Sequence, residues 1–231
     1  SRRGDKVTVS QIGPITIGSY SKNNDISIQD VDSDTADLEI SESDYFAFQV
    51  DDVDATQTGL AVADNAAQRA AYGLADTTDA FVAALMRNDG TPVTTMATDA
   101  YEKLVDLWVA LEEASAPRAG RFAVCPPAFY GLLLKDDRFV ASGAASGAAT
   151  LANGEVGQAA GFTIMTSNNI VAGSGDAGAV IAGHPMATSY ADQISKVEGF
   201  RLEKRFANGL KGLHLYGAKV FEAGALAVLE L

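Results

Sequence analysis

From Val53 to Met86 the chain contains no proline, and apolar residues recur seven apart at Val53, Leu60, Ala67, Leu74 and Phe81. Ala63, Ala70, Ala71 and Leu85 fill the same stripe, which is the pattern of one amphipathic helix. About 35 residues rising 1.5 Å each make a rod of roughly 50 Å, longer than a compact domain of this size requires. The stripe is rich in alanine, so whatever packs on it comes close. Gly59 and Gly73 each cost such a helix about 1 kcal/mol relative to alanine and mark bends or close contacts. Ahead of the rod, Tyr45-Phe-Ala-Phe-Gln-Val-Asp-Asp-Val-Asp54 closes a polar, β-rich segment. Its Asp51, Asp52 and Asp54 suit a helix start, where the macrodipole favours negative charge and a carboxylate can cap free amides.

The segment before the rod alternates in short runs, Lys6–Val9, Ile15–Ile17, Ile26–Ile28 and Leu38–Ile40, broken by Gly13-Pro14 and Asn23-Asn24. This predicts a long hairpin over residues 1–48 with little core of its own. A two-stranded ribbon is marginal alone in water, so something outside it must supply the missing surface. After the rod, Asp99 and Glu102 have capping-box spacing before a helix whose expected inner face is Tyr101, Leu104, Val105, Trp108 and Leu111, with Pro117 as its stop. Phe122–Cys125 reads as a buried strand, and Pro127 opens a short helix. Residues 141–149, almost all Ala, Gly and Ser, predict a loop that packing cannot order. Strands follow at Phe162–Met165, Ala179–Ala182, Ser195–Arg201 and Leu210–Phe221. The fold class is therefore α+β.

With 231 residues and 47% hydrophobic content the chain can bury a sizeable core, and its longest apolar runs fall short of a membrane span. No membrane partner is expected. The net charge of −13 opposes a surface that grips nucleic acid broadly, since such surfaces need clustered Lys and Arg. The single Cys125 cannot form a disulfide within the chain, and its flanks place it as a small core residue rather than a nucleophile.

Each motif that could carry chemistry fails on its context. Gly173-Ser-Gly-Asp-Ala-Gly178 matches a dinucleotide fingerprint, but a strand rather than a helix follows it, so the expectation is a glycine turn and no cofactor. Asp30, Asp32 and Asp34 have the opening spacing of a calcium loop, yet Thr35 replaces the turn glycine and Ser41 the closing Glu, which leaves only a weak metal candidate. Gly212–Gly217 approaches phosphate-loop spacing but lacks the Lys-Ser/Thr pair and alternates like a strand. His184 and His214 lie apart from any second ligand, no nucleophile elbow is present, and no catalytic residue is assigned. Arg3-Gly4-Asp5 reads as turn chemistry rather than an adhesion signal.

Several blocks occur in a fixed order: Gly4–Val7; Tyr45–Asp54; Gly120-Arg-Phe-Ala-Val-Cys-Pro-Pro-Ala-Phe-Tyr130; Leu134-Lys-Asp-Asp-Arg-Phe139; Tyr190–Gln193; and Arg205-Phe-Ala-Asn-Gly-Leu-Lys-Gly-Leu-His-Leu-Tyr-Gly-Ala-Lys219. In these blocks the chain resembles the major capsid proteins of tailed bacteriophages, of the Hong Kong 97-type fold that encapsulin shells also use. The resemblance implies an extended hairpin loop at 1–48 and a peripheral domain with a spine helix at 49–116. An axial domain at 117–193, peripheral return strands at 194–220 and a final axial strand at 221–231 complete the chain, and an N-terminal arm is expected ahead of Ser1. It also implies self-assembly through hexamers and pentamers into an icosahedral virion shell around double-stranded DNA, built in the host-cell cytoplasm. Scaffolding, portal or decoration proteins would be its partners.

The residues expected between subunits are Lys6, Ile15, Ile17, Lys22, Ile26 and Ile28 on the hairpin, and Arg201, Glu203, Lys204, Arg205 and Lys211 on the return strands. Some members of the fold join a hairpin Lys to a neighbour's Asn; Lys6, Lys22, Asn168 and Asn208 supply those residue types without a motif. Three rivals remain: a nanocompartment shell around cargo enzyme, a nucleotide-binding α/β enzyme using the 173–178 loop, and a binding or decoration module attached to some other shell.

Overall fold

The computed structural model describes residues 6–12, 17–20, 22, 25, 28, 33–51, 62–136, 157–171, 176–203 and 205–231. The hairpin expected from the alternating runs is present: β1 (Lys6–Ile12) pairs antiparallel with β2 (Ser33–Glu39), from Lys6 opposite Glu39 to Ile12 opposite Ser33. It forms a separate two-stranded sheet. β3 (Glu42–Asp51) leaves the ribbon and pairs along its whole length with β10 (Ala207–Val220). The boundary drawn at residue 48 thus falls inside a continuous strand. Alternation alone does not show where a strand changes partner.

The rod is helix α1, Val62–Asp89, which at 1.5 Å per residue is about 42 Å long. The expected turns from Val53 to Ala61, with Gly59, lie outside the described residues. Ala66, Ala67, Ala70, Leu74, Thr78, Phe81, Val82 and Leu85 form its half-buried to buried stripe, while Ala71 is exposed. Among the described residues nothing lies within 4 Å of a Cβ placed at Gly73, so it makes no close contact with them. Instead the Thr77 and Thr78 hydroxyls donate to the carbonyls of Gly73 (2.9 Å) and Leu74 (3.0 Å), a back-bonding pattern that favours bending.

α1 lies against a three-stranded antiparallel sheet in the order β3-β10-β9, where β9 is Thr188–Arg201. β9 starts seven residues before the expected Ser195, so the boundary at 193 also falls within a strand. A bulge at Leu215/Tyr216 lets the long β9–β10 ribbon change its twist midway. Gly212 faces the ring of Phe46 across the ladder; a Cβ there would come within 2.3 Å of that ring. The missing side chain is the seat for the aromatic one.

The second lobe is a six-stranded mixed sheet in the order β4-β11-β8-β5-β7-β6. Its strands are β4 (Thr91–Pro92), β5 (Phe122–Cys125), β6 (Gln158–Ala159), β7 (Phe162–Thr166), β8 (Ala179–Gly183) and β11 (Leu226–Glu230). β8 is buried at every position because it sits inside the sheet beneath a helix layer. That layer is α2 (Ala100–Glu113) and α3 (Pro127–Lys135), with Pro127 in the first turn as expected. The core-facing stripe of α2 is Ala100, Leu104, Leu107 and Leu111; Leu107 takes the place expected for Trp108, which is half-buried beside Gly161. Asp99 occupies the N-cap with extended backbone, but its carboxylate does not make the capping bond that its spacing suggested. Pro117 stands just past a helix end already closed at Ser115. There φ is 57°, Ser115 N–H donates to Glu112 and Ala116 N–H to Leu111, the paired bonds of a Schellman motif.

Candidate assembly surfaces

The hairpin is fastened at its base, and Val7, Ile17, Tyr20, Lys22 and Ile28 are exposed beyond it. Leu38 on β2 is 1% exposed, and the Lys219 ammonium donates to the Asp37 carbonyl at 2.9 Å. β10 passes so close beneath the β2–β3 corner that a Cβ on Gly217 would lie 2.1 Å from the Glu39 carbonyl oxygen. Along the ribbon, Lys6 pairs with Glu39 at 2.7 Å, and the Thr8 hydroxyl donates to Asp37 at 3.0 Å. The Glu39 hydrogen bond raises the Lys6 pKa, and the Lys6 hydrogen bond lowers that of Glu39. Lys6 is therefore engaged in the ribbon's own cross-strand pair. Ile17 and Ile28 are 94% and 88% exposed, and Lys22 is also exposed. Ile15, Ile26, Asp30 and Asp32, and the side chain of Asp34, lie outside the described residues.

At the far end of the β9–β10 ribbon, the Arg201 guanidinium donates to the Asn208 side-chain oxygen at 2.9 Å. Glu203 and Arg205 are exposed, Lys204 lies outside the described residues, and Phe206, absent from the expected contacts, is 79% exposed. An aromatic directly after Arg205 was the available signal for it. Lys211 and Lys196 flank Glu198 at 3.2 and 2.5 Å, and the Lys196 hydrogen bond, followed by that of Lys211, depresses the Glu198 pKa. The structure thus divides the expected contacts between two well-separated places, the hairpin and this ribbon.

Of two arginine clusters, one ties the spine helix to the axial lobe and the other closes the chain after α2. Arg87, in the last turn of α1, bonds the Asp176 carboxylate through two nitrogens at 2.6 and 3.1 Å, the Glu230 carboxylate, and the Ile170 carbonyl at 3.1 Å. These hydrogen bonds, led by Glu230, push its pKa up. Asp176 also accepts from Gly178 N–H at 3.0 Å, so this part of the 173–178 segment binds an arginine of its own chain, and β8 follows it. Arg121, 2% exposed, donates to the carbonyls of Pro117 and Ala116 and meets Glu112 at 3.1 Å; Arg118 grips the same carboxylate from solvent. The Arg118 hydrogen bond comes first in holding the Glu112 pKa down.

Burial pushes the Cys125 thiol up to about 11, so it is neutral at physiological pH. His184 caps a short turn by accepting from Met186 N–H, and His214 lies against the Tyr216 ring. Gly212–Gly217 is part of strand β10. Among the described residues no three His, Cys, Asp or Glu side chains are grouped as metal ligands.

Residues 35–229 match the phage capsid protein family. The chain belongs to that family. No curated protein sequence matches it. Among solved structures, this capsid protein is similar to a chain of Mycobacterium phage Che8, with 27% identity and a TM-score of 0.83 over 98% of this chain and 85% of that one. A chain from the capsid of cyanophage P-SCSP1u is 17% identical, with a TM-score of 0.78 over 99% and 84% of the two chains. One from the mature capsid of bacteriophage PhiM1 is 15% identical, with a TM-score of 0.72 over 100% and 83%. The capsid protein has the Hong Kong 97-type fold, and its role is that of a major shell protein. The nucleotide-enzyme reading is not favoured.

Proposed function

We propose that this capsid protein assembles through hexamers and pentamers into an icosahedral shell enclosing double-stranded DNA, with its β1–β2 hairpin lying across a neighbouring subunit. The observation that carries the reading is the hairpin itself: among the described residues it is fastened at its base, and with Ile17 and Ile28 exposed it is half of an interface. The Arg201–Lys211 ribbon supplies a second contact, facing other copies at the peripheral edge. The net charge of −13 fits a container that encloses DNA without gripping it. The protein acts through geometry rather than catalysis. Assembly takes place in the host-cell cytoplasm, with scaffolding, portal or decoration proteins as partners.

Negative-stain electron microscopy and sedimentation of the protein, produced with its neighbouring genes, test this reading. Closed shells containing nucleic acid are expected, and Arg205→Glu should lower shell yield while leaving the circular dichroism of the subunit unchanged. Shells filled with a cargo enzyme would overturn the DNA assignment, and a monomer under all conditions would overturn assembly.

A further inference from the structure

A groove of about 800 Å³ runs between α2 and the strap of residues 93–97 in the axial lobe. Both walls are fixed. Val93 N–H extends the β4 pairing by donating to the Val228 carbonyl at 2.7 Å, and the Thr95 hydroxyl binds Asp106 on the helix. The floor is apolar, with Val105 and the exposed Val109, and Asp106 and Glu113 make the rim acidic. Successive residues turn by about 100°, so Val109 and Glu113 lie roughly 100–140° around α2 from Trp108, which faces the β6–β7 turn. The groove therefore opens on the β4 flank of the lobe, away from β6.

α3 carries a surface of opposite character. Ala128, Leu132 and Lys135, spaced four and three apart, form one exposed stripe that is apolar and ends in a cation, with Leu132 54% exposed. Phe129 and Leu133 turn into the core and fix which face remains outside. α3 starts directly from β5, on the half of the sheet that continues to β7 and β6. The acidic apolar groove and the basic apolar stripe thus belong to opposite halves of one lobe. Surfaces that are complementary but separate on the same chain match between copies in a head-to-tail sense, and such contacts close into rings when the rotation permits.

Resting on the shell reading, we propose that the α2 groove of each subunit receives the α3 stripe of the next subunit. Leu132 enters against Val105 and Val109, Lys135 stands beside Glu113, and the repeated contact closes the capsomer ring. The double variant Val109→Cys with Leu132→Cys tests it, because the native Cys125 is buried and silent. Assembled under reducing conditions and then oxidised, it should give a ladder of covalent oligomers ending at the capsomer size on a non-reducing denaturing gel, while each single variant stays monomeric.

Shells of the double variant without a ladder would overturn this contact and leave the shell reading intact; wild-type protein that forms no shells would overturn the shell reading itself. A disulfide-linked dimer from either single variant, which carries one reactive thiol per chain, would mean a symmetric contact and overturn the head-to-tail one. Should the cysteine pair prevent assembly, Lys135→Glu is expected to cut shell yield about tenfold and Lys135→Glu with Glu113→Lys to restore it. No loss from the single reversal, or no rescue by the pair, overturns the proposal.

Discussion

A hydrogen atom at Gly217 decides how the hairpin joins the body of the molecule. β10 runs under the β2–β3 corner with no room for a side chain, and the obstruction is backbone, which cannot swing aside. Gly217→Ala should therefore cost about 1–3 kcal/mol, the range for forcing extra atoms into a packed site, measured as a loss in thermal or denaturant stability of the unassembled subunit. A variant as stable as the wild type would show that the corner yields. Gly217 was legible as part of a failed phosphate-loop spacing and of the Arg205–Lys219 block but not as a crossing point, because a pattern of one chain cannot show which distant backbone crosses it. Arg87 was silent for the same reason, its partners being distant in sequence, whereas the partners of Arg121 are near but meet it only because the chain turns back after α2. Cys125 was legible, since a small apolar residue between Val124 and two prolines at a strand end has few places to go other than the core.

At the scale of the element, the sequence placed what repeats and missed what depends on neighbours. The spine helix, the hairpin and the short helix after Pro126 follow from periodicity and turn residues. The change of partner at the start of β3 and the early start of β9 do not, because a strand reads alike whichever strand it pairs with. The inward face of α2 was misjudged between Leu107 and Trp108, which point about 100° apart on the helix: Leu107 enters the core, while Trp108 is half-buried beside Gly161. The hairpin makes the element-scale prediction. In free subunits, amides of β1 and of β2 ahead of Leu38 should exchange with solvent quickly, since a lone ribbon opens readily. In assembled shells the same amides should become strongly protected in hydrogen-exchange mass spectrometry. Equal exchange in both states would mean that no neighbour covers the ribbon.

For the whole molecule, like-charged subunits must come together against their own repulsion. With a net charge of −13 on each chain, the long-range field opposes association, and salt shortens its reach from about 30 Å at 0.01 M to about 10 Å at 0.1 M. The protein concentration needed for assembly should therefore fall as ionic strength rises over that range, as followed by light scattering. A rising threshold would show that attraction between local opposite charges outweighs the net repulsion. The ordered blocks along the sequence carried the family and the fold class, whereas the assembly surfaces were legible only as residue types, since a contact between copies leaves no spacing within one.

The Arg87 cluster gives the long helix the mechanics of a cantilever. Three hydrogen-bonded partners clamp its C-terminal turn to the axial sheet, while Gly73 and the paired threonine back-bonds make its middle compliant. The arm is not bare, since its half-buried stripe carries the β3-β10-β9 sheet, so a bend at its middle would swing part of that sheet while the root stays mounted.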